Sequence, residues 1–68
     1  MKSLYEIGQK CKKHRVINGY LQSDVARDTG YSSENVSSFE NGRNDNARIL
    51  LWYLEHGLSI TQILSRGE

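Results

Sequence analysis

The side chains best suited to covalent or metal chemistry in this sequence are Cys11, His14, His56 and a run of serines that includes Ser33 and Ser37. A structural zinc site needs four ligands, and one cysteine with two histidines falls short of that number. A serine paired with His56 could suggest a hydrolase, but there is no Gly-x-Ser-x-Gly elbow and the 68-residue chain leaves little room for a cleft. We therefore expect no metal, no cofactor, no small-molecule ligand and no enzymatic activity.

The charge of the chain is unevenly distributed, although its net value is only +1. Residues 1–15 hold five basic residues and one acidic residue, whereas residues 16–68 hold four basic and seven acidic residues. The basic segment is typical either of a solvated helix face or of a surface that meets an anionic partner, and composition alone does not choose between them.

No segment of the sequence indicates export or membrane insertion. The longest apolar run is Ile49 to Leu54, far below the roughly 20 residues that span a bilayer. No apolar segment follows Met1, so we expect no signal peptide, and a single cysteine cannot form an intrachain disulfide. These features favour a cytoplasmic protein with no membrane partner.

The spacing of apolar residues and of capping residues predicts an all-α domain that occupies residues 1–68. Ser3 and Glu6 form a capping-box pattern, which places the start of the first helix at Leu4. Ser32 is a favourable N-cap for a later helix, and glycines follow several of the helical patterns. No alternating β-branched run bounded by hairpin turns predicts a strand. Five short helices are expected, at about residues 4–18, 22–29, 33–41, 47–56 and 60–65.

Helices two and three are separated only by Gly30-Tyr31-Ser32, which is the architecture of a helix-turn-helix over about residues 21–41. Ala26 is small enough for the two helices to approach closely, and Gly30 can adopt a positive φ at the turn. Val36 and Phe39 are expected to anchor the third helix from beneath. In such a unit the second of the two helices enters the DNA major groove.

Five ordered elements carry a resemblance to a known family: Arg15, Gly19-Tyr20-Leu21-Gln22, Val25-Ala26, Gly30-Tyr31-Ser32 and Glu40-Asn41-Gly42. With the tail HGLSITQIL, they make residues 7–64 resemble the helix-turn-helix family of phage Cro and repressor proteins. The resemblance implies a compact, lambda-repressor-like fold of five helices. It also implies a sequence-specific DNA-binding transcriptional regulator of a bacterial or phage-infected cell, associated with the nucleoid and with helix 33–41 in the major groove.

The resemblance further implies a role for individual residues. Gln22 matches a position that touches a phosphate and braces the third helix, whereas Arg15 and Glu40 match a partly buried ion pair between helices one and three. The base-reading positions correspond to Ser33, Glu34 and Ser38, flanked by Asn35 and Ser37. The other phosphate-contacting positions correspond to Asn41, Arg43, Asn44 and Arg48.

The fourth helix is apolar on more sides than a small domain can bury. Its run of six apolar residues predicts that some of Leu51, Trp52 and Leu54 face outward unless another element covers them. An exposed apolar surface of this kind favours a partner, most simply a second copy of the chain. A homodimer would place two third helices about 34 Å apart, one turn of DNA, and would favour a palindromic operator in double-stranded DNA.

One departure from the family pattern lies at the start of helix two, and one feature of the expected reading face bears on function. Leu21 stands where a polar N-cap of helix two is usual, which removes a cap that contributes about 1 kcal/mol. Glu34 places an acid, and no arginine, on the expected reading face. A protein-interaction module on the same fold, such as an antirepressor or inhibitor, therefore stands as the alternative to a DNA-binding regulator.

Overall fold

Residues 3–64, which the computed structural model describes, form five α-helices joined by short turns and contain no strand. The all-α prediction is thus confirmed, and the expected helix bounds agree with the observed ones to within one residue. Ser65, the expected last residue of the fifth helix, lies outside the described residues. The helices are α1 (Leu4–Ile17), α2 (Gln22–Thr29), α3 (Ser33–Glu40), α4 (Ala47–Glu55) and α5 (Ile60–Leu64).

Side-chain caps explain why most of these helices begin where they do. Ser3 Oγ accepts from the Glu6 amide at 3.1 Å, and Glu6 Oε1 accepts from the Ser3 amide at 3.0 Å, which is a complete capping box. Ser32 and Asn46 cap α3 and α4 by accepting from the third amide of each helix, at 3.1 Å in both cases. These bonds satisfy amides that would otherwise lack an intrahelical acceptor.

The start of α2 is different because Leu21 has no side chain that can cap it. Asp24 compensates in part, since its carboxylate accepts from the backbone amide of Leu21 at 2.8 Å. The amides of Gln22 and Ser23 at the same helix end receive no such side chain. The loss of a cap expected from the sequence is therefore present, and the first turn of α2 keeps two open backbone donors.

The core is one cluster to which every helix contributes. Cys11, Val25, Val36, Ile49 and Tyr53 are completely buried at its centre. Burial, with a smaller effect of the nearby Glu40 carboxylate, raises the pKa of the Cys11 thiol to about 12, so Cys11 acts as a small apolar residue. Within residues 3–64, no helix is long and apolar enough to cross a membrane.

The N-terminal half of α1 lies unusually close to the end of α3. A Cβ atom built on Gly8 would lie 2.4 Å from the backbone oxygen of Phe39 and 2.5 Å from that of Glu40. The side chain of Gln9 uses this proximity and donates to the Glu40 carbonyl at 2.8 Å. Gly42 completes the contact, because its φ is +74° and its Cβ position lies 2.5 Å from Tyr5 Cα. Two glycines thus set the separation of α1 and α3.

Trp52 is buried, contrary to its expected place on an exposed partner surface. Its side chain is 3% exposed, and its indole stacks on His56 with ring centroids 3.7 Å apart. Tyr20 meets the indole edge-on at 5.1 Å. The indole N–H donates to the carboxylate of Asp28 at 2.9 Å, and this bond is the main reason that the pKa of Asp28 is lowered. Because Trp52 fastens α4 to α2, it is not free for a partner.

Candidate nucleic-acid interface

A tight turn sets α2 against α3. Gly30 ends α2 in the left-handed conformation, with φ at +81°, and its amide donates to the Ala26 carbonyl at 2.9 Å. Ser32 then caps α3, so only three residues separate the two helices. Val25 on α2 and Val36 on α3 are completely buried and hold the two helices together.

A buried carboxylate at the end of α3 holds that helix to three others. Glu40 is 1% exposed and accepts from Arg15 at 2.8 and 3.2 Å, so the expected ion pair is present. Gln22 of α2 donates to the same carboxylate at 3.2 Å, and the Tyr53 hydroxyl of α4 also donates to it. We call Arg15, Gln22, Glu40 and Tyr53 the Glu40 network.

The Glu40 network is fully satisfied. Arg15 donates a further hydrogen bond to the Tyr20 carbonyl at 3.0 Å, and no buried side-chain nitrogen or oxygen within residues 3–64 lacks a partner. The hydrogen bond that Arg15 donates to Glu40 raises the pKa of Arg15 above its usual value, so the guanidinium stays charged. Burial, followed by the bond to Glu40, raises the pKa of Tyr53, so its hydroxyl stays protonated and remains a donor.

The opposite face of α3 is polar and open to solvent. Ser33, Glu34 and Asn35 are exposed, whereas Ser37 and Ser38 are half-buried. At 3.6 residues per turn, the side chains directly opposite the buried Val36–Glu40 face belong to Glu34, Ser38 and Asn41. We call the surface formed by Glu34, Ser38 and Asn41 the outer face of α3. The five residues expected to read bases all lie on this face or beside it: Ser33, Glu34, Asn35, Ser37 and Ser38.

The residues expected to contact phosphates divide into two groups. Arg43 and Arg48 are exposed, and neither guanidinium makes a hydrogen bond or an ion pair within residues 3–64. The remaining residues have local hydrogen bonds, because Asn41 donates to the Ser37 carbonyl at 3.0 Å and Asn44 accepts from the Asn46 amide at 3.1 Å. The second group therefore stabilises the ends of α3 and α4. Asn41 also donates to Ser37 Oγ at 3.4 Å, so of these two residues only Asn44 has a side-chain amide donor that is not used within residues 3–64.

Gln22 belongs to both the core and the surface. Its side-chain nitrogen carries two hydrogens, one of which is donated to Glu40, and the residue is only half-buried at the first turn of α2. The second hydrogen is therefore available to a ligand beside the open backbone amides of Gln22 and Ser23. An anion placed there would meet several donors and the positive end of the helix dipole.

Two features of this region were not predicted from the sequence. Tyr53 was part of an apolar run, and nothing local to α4 indicates that its hydroxyl reaches Glu40, although a buried tyrosine generally needs a hydrogen-bond partner. Gly8 gave a clearer signal, since a glycine inside an otherwise helical pattern often marks a close approach of backbones.

The described residues contain no group of three His, Cys, Asp or Glu side chains that could hold a metal ion. Comparison with protein-family models, with curated proteins and with solved structures finds no match for the chain.

Proposed function

We propose that the protein is a sequence-specific DNA-binding transcriptional regulator of the phage Cro and repressor type, which places α3 in the major groove of duplex DNA. One observation carries the proposal: α3 presents an open row of short polar side chains, while its other face is fixed to α1, α2 and α4 through Glu40. Reading base edges requires this combination, because hydrogen bonds discriminate only when the reading side chains are held in position.

Two groups of donors near α3 support the proposal. Gln22 at the start of α2 contacts Glu40 and lies beside open backbone amides, and the unpaired guanidinium of Arg43 follows the C-terminal end of α3. Arg48 adds a second exposed cation on α4. Phosphate contacts from amides, backbone N–H groups and arginines orient a protein on the duplex, while the side chains between them meet the bases.

Replacing Arg43 with alanine is expected to weaken binding to all duplex sequences by a similar factor. The guanidinium is exposed and makes no hydrogen bond or ion pair within residues 3–64, so its loss should remove a phosphate contact and leave the fold intact. We expect the slope of log K against log salt concentration to become shallower by about 1. The measurement is fluorescence anisotropy with labelled duplexes over a salt series that begins at about 50 mM, where the electrostatic attraction is strong.

Lys13→Ala is the matched control, because Lys13 is an exposed cation on the outer side of α1, away from Gly8, Cys11 and Arg15. It removes the same charge and is expected to change the slope much less than Arg43→Ala. Equal effects of the two substitutions would show that only net charge matters, and wild-type protein that binds no duplex at about 50 mM salt would refute the proposed function.

We further propose that the protein binds a palindromic operator as a homodimer through the flank of α4 that carries Leu51 and Leu54. Leu51 is 51% exposed, whereas Leu54 is half-buried against the core. A single eight-residue helix offers few base contacts, and linking two of them makes the second binding event intramolecular. Trp52 takes no part in this surface because it is buried.

Leu51→Lys is expected to convert the dimer to a monomer, because it places a charge in the apolar contact. Affinity for a two-site operator should fall by about 100-fold, while affinity for an isolated half-site should stay the same or rise slightly. Ile17→Lys is the control, since Ile17 is 70% exposed on α1 and the substitution adds the same charge. Sedimentation velocity, with and without operator DNA, measures the oligomeric state and the DNA affinity of each variant. A wild-type protein that stays monomeric on operator DNA would contradict the proposed dimer.

One observation favours the alternative, a protein-interaction module on the same fold. The outer face of α3 carries an unpaired carboxylate, Glu34, and no cation. Such a face suits a basic or polar protein surface as well as it suits DNA. Failure of the duplex-binding measurement, together with a folded and monodisperse protein, would favour this alternative.

A further inference from the structure

The only charged side chain on the outer face of α3 is Glu34. It lies in the first turn, is exposed, and makes no ion pair or hydrogen bond within residues 3–64. Ser38 and Asn41 follow it at the spacing that lines up side chains along one side of a helix, directly opposite Val36 and Phe39. A helix that enters a groove with its outer face therefore brings a carboxylate to the bases before any other charged group.

The chemistry of a carboxylate restricts which base it can meet. An ionised Glu accepts hydrogen bonds and donates none. In the major groove, guanine and thymine present acceptors, and adenine presents the N7 acceptor next to its N6 donor. Cytosine presents the N4 amino group alone. Of the four bases, cytosine gives Glu34 a partner without an acceptor on the same base that would repel it.

We propose that Glu34 is a specificity-determining residue that selects a cytosine in each half-site of the duplex. This inference rests on the proposed DNA-binding function. Glu34 also repels the phosphates that flank the groove, and no Lys or Arg of α3 offsets that repulsion. The residue therefore lowers affinity for every sequence and lowers it least where the cytosine amino group faces it, so specificity comes at the expense of affinity.

Replacing Glu34 with glutamine separates the two effects. Glutamine keeps the shape of the side chain, removes the repulsion, and makes a bidentate pair with adenine N6 and N7. Affinity for unrelated duplexes should rise about two- to five-fold, as expected for removal of one charge near phosphates. Discrimination in favour of cytosine should fall by about ten-fold, and adenine should become the preferred base at that position.

The experiment is selection of bound sequences from a random duplex pool with wild-type protein, with Glu34→Gln, and with Glu55→Gln as control. Glu55 is an exposed glutamate at the end of α4, so its substitution removes the same charge from a place outside α2 and α3. The expected result is one cytosine per half-site with the wild type and the control, and adenine at the same position with Glu34→Gln. Thermal unfolding of both variants tests whether the fold is unchanged.

A chemical probe locates the contact at a single atom. In the selected site, that cytosine is replaced by N4-methylcytosine, whose methyl group takes the place of the free amino hydrogen in the major groove. Wild-type affinity should fall by about ten-fold, and the affinity of Glu34→Gln should change much less.

The outcomes are distinguishable. If the wild type enriches no sequence, the proposed function fails and the role of Glu34 fails with it. If a motif is enriched but stays the same in Glu34→Gln, the protein reads DNA and Glu34 does not select a base. If Glu34→Gln and Glu55→Gln raise affinity equally with no change of motif, Glu34 contributes only net charge.

Discussion

Replacing Arg15 with leucine is expected to lower the free energy of unfolding by about 3–5 kcal/mol, because the substitution leaves the Glu40 carboxylate buried without its cation. Glu40 is 1% exposed, and Arg15 supplies two of the hydrogen bonds that it accepts, at 2.8 and 3.2 Å. A domain of this length has a total stability of roughly 3–10 kcal/mol. The variant should therefore lose a large share of its stability, which would appear as a much lower midpoint in a urea titration followed by circular dichroism.

Two further variants separate the loss of the cation from the loss of side-chain packing. Arg27→Leu removes an arginine whose ion pairs with Asp24 and Asp28 are on the surface, and it should change stability by no more than about 0.5 kcal/mol. Adding Glu40→Gln to Arg15→Leu removes the stranded charge and should restore part of the lost stability. If Arg15→Leu proves as mild as Arg27→Leu, the Glu40 network does not hold the fold together.

Replacing Gly8 with alanine is expected to destabilise the protein by about 2–3 kcal/mol, because α1 and α3 would have to move apart. In the interior of an ordinary helix the same change stabilises by about 1 kcal/mol, so the sign of the effect is itself diagnostic. The new methyl group would lie 2.4 Å from a backbone oxygen of Phe39, which cannot rotate away as a side chain could. Urea titrations of the wild type and the variant measure the difference.

A second pair of glycines serves as an internal control for this contact. Gly42 and Gly30 have similar positive φ angles, +74° and +81°, so alanine meets similar backbone strain at both. Only Gly42 has a neighbour within reach, Tyr5 Cα at 2.5 Å from the new methyl position. Gly42→Ala should therefore be the more destabilising of the two. Equal losses of stability at both positions would mean that α1 and α3 can move apart at little cost in free energy.

Local signals were enough to predict the helices. Ser3 with Glu6, and Ser32, cap helices through bonds to residues three positions away, and such bonds depend only on the adjacent sequence. The small errors fall at C-terminal ends, where a residue such as His56 takes the C-cap instead of the last helical position.

Contacts between distant segments could not be predicted in the same way. Which side of α4 faces the core depends on the path of residues 41–46, so Trp52 and Tyr53 could not be told apart from Leu51 within one apolar run. Periodicity identifies an amphipathic face only when polar residues mark the other side. The ion pair between Arg15 and Glu40 was predicted from the family resemblance. The hydrogen bond from Tyr53 to Glu40 was seen only in the three-dimensional structure.

The arrangement of the Glu40 network has an evolutionary consequence. Its members lie on four different helices and share one carboxylate, so a change at Glu40 removes the acceptor of donors on three helices, and a change at any donor removes a hydrogen bond from a buried charge. These positions are therefore expected to change together or not at all. Ser33 and Glu34 are exposed and lie outside the core cluster, so a single substitution there could alter the proposed base recognition at little cost in stability. The residues that constrain sequence divergence are thus different from those through which the proposed recognition could change by one mutation at a time.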